Sequence, residues 1–453
     1  MKKWFALLFA AALLVSFASA EAPRIFTEGG SSYLIGDGGA SIRKIENTAY
    51  SFADAPLIAP DGQIRLVGLT AGEPDEYGDP AALYTLLDEN GNALTAEFYD
   101  YLYERNGSLI VYRDGYVGAL DWDGTELIAP GAMSLLEPVG DGSFLGTRDE
   151  MYGPDGMIFV RIGADGTQTD LNLKLDYLGE FTDGLAPAQI FGGATGVIDS
   201  DGHWKIPPVY TSINSFSENF FLVYDDPCCG LMDRLGRIVL PVEYDSISRY
   251  AVEEDMDVGC VIACRPDGVM QLFSCDKLEL LVEVPDVAYA FGYSYDRVSV
   301  MMNDGSGRVY DSKGELVLEF SENQYLAGSY GDVTILYDSD KDLYQIVKRG
   351  GEVLADDLLG AGILIEDDGS FAGILIWDGR TVMSEDGYRN VIPSTLRHGL
   401  YDLELNEILP KVYDSLWLFG DGILRAQRAE KFGLIDYEGN WLLEFTDYGM
   451  LQD

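Results

Sequence analysis

The feature that most constrains this chain is an internal repeat with an offset of 34 residues. Gly196-Val-Ile-Asp-Ser-Asp-Gly202, followed by Ile206, Pro207, Tyr210 and Ile213, realigns with Gly230-Leu-Met-Asp-Arg-Leu-Gly236, followed by Leu240, Pro241, Tyr244, Asp245 and Ile247. The pattern returns at Gly399-Leu-Tyr-Asp402 and, 34 residues later, at Gly433-Leu-Ile-Asp-Tyr-Glu-Gly439. Weaker copies turn at Gly91, Gly124, Gly166, Gly314, Gly351 and Gly379, with a degenerate one near Lys277, and the Gly399 copy itself turns at a degenerate position near Leu405. That makes eleven units spaced 26 to 42 residues apart, or twelve with Pro60-Asp61-Gly62. A period of this size is the mark of a repeat architecture, in which each unit buries its apolar face only by stacking on its neighbours.

Within a unit the local chemistry is that of strands. A short apolar run such as Leu434-Ile435 leads into Asp-x-x-Gly, where the aspartate and a glycine with positive φ make a tight turn, and a second apolar run returns. Segments such as 184–190 and 422–427 add one or two further strands, so a unit holds three or four. No stretch after Glu21 sustains a helical apolar period. The expectation is an all-β protein of about eleven to twelve small sheets, β-propeller-like, with an open β-hairpin solenoid as the alternative. The weakest matches lie between Val252 and Asp304, so the repeats divide into 21–251 and 252–453, either as two regions or as one continuous body.

Met1-Lys-Lys, an apolar run from Trp4 to Phe17 and Ala18-Ser-Ala20 read as a secretory signal, 1–20, with Glu21 as the mature N-terminus. The run is too short for a bilayer span. The expected location is extracellular or in the cell envelope. The chain carries 76 Asp and Glu against 30 Lys and Arg, a net charge of -46, which repels phosphate backbones and anionic lipid and so argues against nucleic acid and acidic membranes as partners.

The pattern Gly-x-x-Asp-x-x-Gly, then Ile/Leu-Pro-x-x-Tyr-Asp-x-Ile, then Phe216-Ser217-Glu218, resembles the bacterial WG-repeat (KWG-repeat) proteins. Phe181-Thr-Asp-Gly184-Leu-Ala-Pro-Ala188 and Lys431-Phe432-Gly433-Leu-Ile-Asp436 fit the same resemblance, which is close over 181–248 and 398–445. One departure is plain: Thr195, Cys229, His398 and Phe432 precede the glycine, and no Trp-Gly dipeptide occurs. The resemblance implies a repeat scaffold for binding or interaction, with no catalytic residues to carry over.

The chemistry-bearing residues support no catalytic assignment, metal site or cofactor. His203 and His398 sit inside separate units, and no zinc, triad or P-loop spacing is present. Cys228, Cys229, Cys260, Cys264 and Cys275 suggest oxidation in an exported protein, but the odd count leaves one unpaired and the pairing open, and buried apolar thiols explain them equally well. Asp338-Ser-Asp340-Lys-Asp342 begins like a calcium loop but has Leu343 and Arg349 where glycine and the bidentate glutamate belong. The acidic loops 73–79 and 253–257 read as solvated.

Four tryptophans near turns, Trp122, Trp204, Trp377 and Trp441, are the candidate ligand-binding residues. Repeated on one rim they would stack on sugar rings or anchor a protein, although packing between adjacent sheets explains them too and is preferred. The leading functional expectation is a secreted, non-enzymatic scaffold for a protein or a cell-surface or dietary glycan. The alternatives are a propeller-type glycoside hydrolase or lyase, which would need two carboxylates converging from different units, and a structural envelope component.

Overall fold

A computed structural model of the protein describes residues 23–446 apart from 29, 48, 54, 75–79, 150–155, 251–256, 295 and 384–388. The expected signal at 1–20 lies outside the described residues, as do most of the two acidic loops. The described chain is all-β, with two single 3-10 turns, Asp37–Gly39 and Pro393–Thr395.

Eleven small antiparallel units follow one another: sheet 1 (24–44), sheet 2 (51–87), sheet 3 (101–133), sheet 4 (135–178), sheet 5 (185–210), sheet 6 (212–244), sheet 7 (246–284), sheet 8 (287–320), sheet 9 (324–358), sheet 10 (360–413) and sheet 11 (415–446). Sheets 4 and 5 are fused through the long strand Gln168–Leu178, which pairs on both sides, and sheet 10 carries the inserted hairpin Thr381–Met383/Arg389–Val391. The division expected at 251/252 falls between two strands that pair, Ser246–Tyr250 and Asp257–Cys264.

Sheet 6 shows how the repeat builds a unit. Its strands Ser212–Ser215, Phe220–Asp225, Cys228–Asp233 and Ile238–Tyr244 form a meander. The Asp233 carboxylate accepts the backbone N–H groups of Leu235 and Arg237, each at 2.9 Å, closing the turn between the third and fourth strands. Burial alone would raise its pKa, but those two N–H groups and the Arg237 guanidinium outweigh it and hold the acid below its usual range. The same geometry recurs at Asp199, Asp311, Asp402 and Asp436, so these aspartates are turn formers, as their positions in the sequence predict.

The fourth strand passes almost without interruption into the first strand of the next unit. A single residue separates them at Ser134, Thr211, Asp245, Leu359 and Asp414. Asp245 donates its backbone N–H to Cys264 in the next sheet and Asp414 to Gln427, each at 2.8 Å, while the Asp414 carboxylate caps the following hairpin at the Ala429 N–H, 2.6 Å away. The aspartate of Tyr-Asp therefore starts sheets 7 and 11, and Asp100 starts sheet 3 in the same way.

Eleven apolar clusters lie between successive sheets. Tyr244 and Leu240 of sheet 6, for example, meet Ile247, Val261 and Phe273 of sheet 7, and Leu375, Leu409 and Tyr413 of sheet 10 meet Leu416, Leu424 and Ile435 of sheet 11. The eleventh cluster joins the last sheet to the first: Phe26 and Ile35 pack on Ile423 and Leu434, with Phe26 edge-on to Phe419 at 5.8 Å. Arg24 reaches across this seam to Asp421 and Asp367, and Glu28 to Arg425. The stack is thus cyclic and closed by side-chain packing, which supports the propeller-like expectation over the open solenoid.

Candidate functional site

The four sequence-chosen tryptophans fall in three different seams between sheets. Each is half-buried against a cluster between sheets: Trp122 between sheets 2 and 3, Trp204 between 4 and 5, and Trp377 and Trp441 between 10 and 11. Trp122 donates its indole N–H to the Gly107 carbonyl at 3.1 Å, while its own carbonyl takes a bond from Arg65. Trp377 covers Gly360, where any Cβ would collide with the indole, and stacks on His398 with ring centroids 5.8 Å apart. All four take part in the packing between sheets while keeping part of their surface exposed.

The exposed indole is one that sequence reasoning passed over. Trp417 is 64% exposed. It lies on Ser415–Gly420, the first strand of sheet 11, where Leu416 points into the cluster shared with sheet 10 and the alternate residues Ser415 and Trp417 take the other face. On the neighbouring strand Ile423–Arg428, Arg425 stands directly opposite Trp417 and Gln427 opposite Ser415; Phe432 follows Gln427 on the third strand. Together with Phe419 and Glu28 these residues line a groove of about 710 Å³.

The groove is open for a topological reason. In sheets 6 and 11 the aspartate turn separates the third and fourth strands, whereas sheet 1 has three described strands, with the turn Asp37–Gly39 between its second and third. Among the described residues, then, sheet 1 has one strand fewer than the sheet 11 it packs on. No signal for this was present in the Asp-Gly spacing, which marks the turn of each unit but not whether a neighbour covers its first strand.

Electrostatically the groove is balanced. Arg425 pairs with Glu28 at 2.8 Å and lies over the Phe26 ring at 5.7 Å. Among the described residues the Trp417 indole N–H, the Ser415 hydroxyl and the Gln427 amide have no hydrogen-bond partner.

Carboxylates from different units converge on arginines at several places, as where Arg349 meets Asp311 of sheet 8 and Asp332 of sheet 9, and Arg161 meets Asp141 of sheet 4 and Asp201 of sheet 5. Arg105 of sheet 3 forks between Glu137 of sheet 4, at 3.0 Å, and Glu180, which precedes sheet 5, at 3.4 Å. Glu137 is only 4% exposed. A guanidinium bridging two acids, one of them shut away from solvent, ties three sheets together.

The remaining candidates resolve similarly. Asp199, Asp201 and His203 bring ligand-type atoms within 4.8 Å of one another, but Lys205 already pairs with Asp199 and Arg161 with Asp201. Asp338 caps its own turn, Asp340 binds Asn323 and Asp342 binds the Tyr337 hydroxyl. All five cysteines are free; burial pushes the Cys229 thiol up to about 11 and the Cys260 thiol up to about 12, which keeps both unreactive near neutrality.

The cyclic row of small sheets, bound by a repeated glycine, aspartate turn and buried tyrosine, defines an all-β repeat protein. The family model of the WG containing repeat matches residues 196–226 and 230–256, so the chain is a WG-repeat-containing protein. No curated protein matches it. Among solved structures it is similar to BamB from Moraxella catarrhalis, at 12% identity over 63% of this chain and 94% of that one, with a TM-score of 0.28. It is also similar to apo AztD from Citrobacter koseri, at 10% identity over 74% and 93%, with a TM-score of 0.25.

Proposed function

We propose that the protein is an exported, non-enzymatic scaffold that binds a protein or a cell-surface or dietary glycan through the groove beside Trp417. The observation that carries this reading is the contrast among the tryptophans. Four serve the packing between sheets, whereas Trp417 is presented to solvent in a concave site beside hydrogen-bonding groups that nothing else occupies. An exposed indole in a groove is the usual anchor of a binding site. Export rests on the N-terminal segment 1–20, and the unreactive, buried cysteines are compatible with an oxidising compartment.

The test is an array of glycans and cell-wall polymers run beside an array of extracellular proteins. Wild type would be compared with Trp417→Ala and with alanine variants of Trp122, Trp204, Trp377 and Trp441. Selective binding that Trp417→Ala abolishes while its thermal stability stays at the wild-type level supports the reading. Binding that survives Trp417→Ala, or no binding on either array, overturns it.

A further inference from the structure

Resting on that reading, we infer that the Trp417 groove is a subsite for an uncharged saccharide. Its size comes first. A concavity of about 710 Å³ is of the order that holds a small molecule, whereas a stable protein partner calls for roughly 800 Å² of surface on each side.

The lining then narrows the chemistry. One aromatic plane, Trp417, is flanked across the two strands by Ser415, Gln427 and the Arg425–Glu28 pair. A pyranose ring matches this arrangement because its axial C–H groups form an apolar face while its hydroxyls project around the rim. The indole takes the face, and the unclaimed indole N–H, hydroxyl and amide, with the outer atoms of the ion pair, take the hydroxyls.

Charge disfavours an anionic competitor. Glu28 cancels the Arg425 charge locally, and the net charge of -46 repels an anionic ligand before it arrives. A purely apolar ligand would leave Gln427 and Ser415 desolvated without partners, which is costly. The lining matches best a neutral, hydroxyl-rich molecule with one apolar face.

The experiment is a titration of the mature protein with neutral gluco-, manno- and xylo-oligosaccharides, with oligogalacturonate as the charged control, followed by tryptophan fluorescence and calorimetry. The expected result is saturable binding of at least one neutral oligosaccharide, weakened about tenfold or more in Trp417→Ala and largely restored in Trp417→Tyr. Gln427→Ala should weaken it several-fold. Because Trp417 and Gln427 are exposed, both variants should keep the wild-type circular dichroism and melting temperature. Saturation by oligogalacturonate alone, or equal binding by wild type and Trp417→Ala, overturns the inference. If no saccharide binds but the protein array yields a Trp417-dependent partner, the saccharide assignment fails and the binding scaffold stands; if neither assay yields a ligand, both fail.

Discussion

At the scale of single residues, the same strand position does very different work in different units. The residue after the buried apolar one on the first strand is Trp417 in sheet 11, open to solvent, and Glu137 in sheet 4, almost fully enclosed. Burial pushes the Glu137 carboxyl up to about 7, with Arg105 pulling it down and Glu180 adding to the rise. Its folded value lies above the value of about 4.3 in an unfolded chain, so the native state holds the proton more tightly. That contribution to stability is complete below the unfolded value and is lost as the pH rises through about 7. Glu137→Gln should therefore flatten the fall in unfolding free energy between about pH 5 and 7.5 and be at least as stable as wild type at pH 8, as measured by denaturant titration across that range. A variant that is less stable at pH 8 with an unchanged slope would show instead that the ionised Arg105 pair outweighs the desolvation of the acid. Neither the exposure of Trp417 nor the enclosure of Glu137 was legible in the sequence. Both depend on which neighbour covers the strand, a relation between residues far apart in the chain.

At the scale of the element, the repeated glycine has a steric reason. Val117, Thr195, Cys229 and His398 pair normally with the fourth strand, and so do Ala119, Val197, Leu231 and Leu400, but several fourth-strand residues crowd opposite the glycine between each two. Opposite Gly230 stand Pro241 to Glu243, and a Cβ there would lie 2.7 Å from the Leu240 carbonyl oxygen and 2.8 Å from that of Pro241. Gly196 is placed alike against Ile206 and Pro208. This bulge bends the fourth strand toward the next unit, and the proline beside it withholds an N–H that the bulge leaves unpaired. Gly230→Ala should cost about 2 kcal/mol or more, because the obstruction is backbone rather than a side chain that can turn aside. The measurement is the denaturant midpoint against that of Gly192→Ala, a loop glycine where a Cβ meets nothing but the backbone has positive φ. Equal losses in the two would remove the steric account. The glycine, the Asp-x-x-Gly turn, the proline and the Tyr-Asp step were all visible in the sequence, because each is a local device whose partners lie within one repeat.

At the scale of the molecule, the seam and the charge decide how the ring holds. Closure rests on Phe26, which is 3% exposed, and on a few ion pairs, in a chain whose net charge of -46 pushes every sheet away from the others. Screening that repulsion should raise the melting temperature by several degrees between about 10 and 200 mM sodium chloride. A melting point that stays flat or falls over the same range would mean that the cross-seam ion pairs, which salt weakens, dominate instead. By itself the sequence determined the all-β repeat, its period and the turn chemistry, since these follow from contacts within about 34 residues that recur along the chain. The eleven units read from it missed sheet 1 and counted Gly379, which stands at the inserted hairpin of sheet 10, as a unit of its own. Only the tertiary structure decided that the last sheet meets the first, that four tryptophans are spent on packing, and that Trp417 is left over a groove. Those outcomes come from the stacking of whole sheets, where residues as distant as Glu28 and Arg425 become neighbours and no local pattern records the meeting.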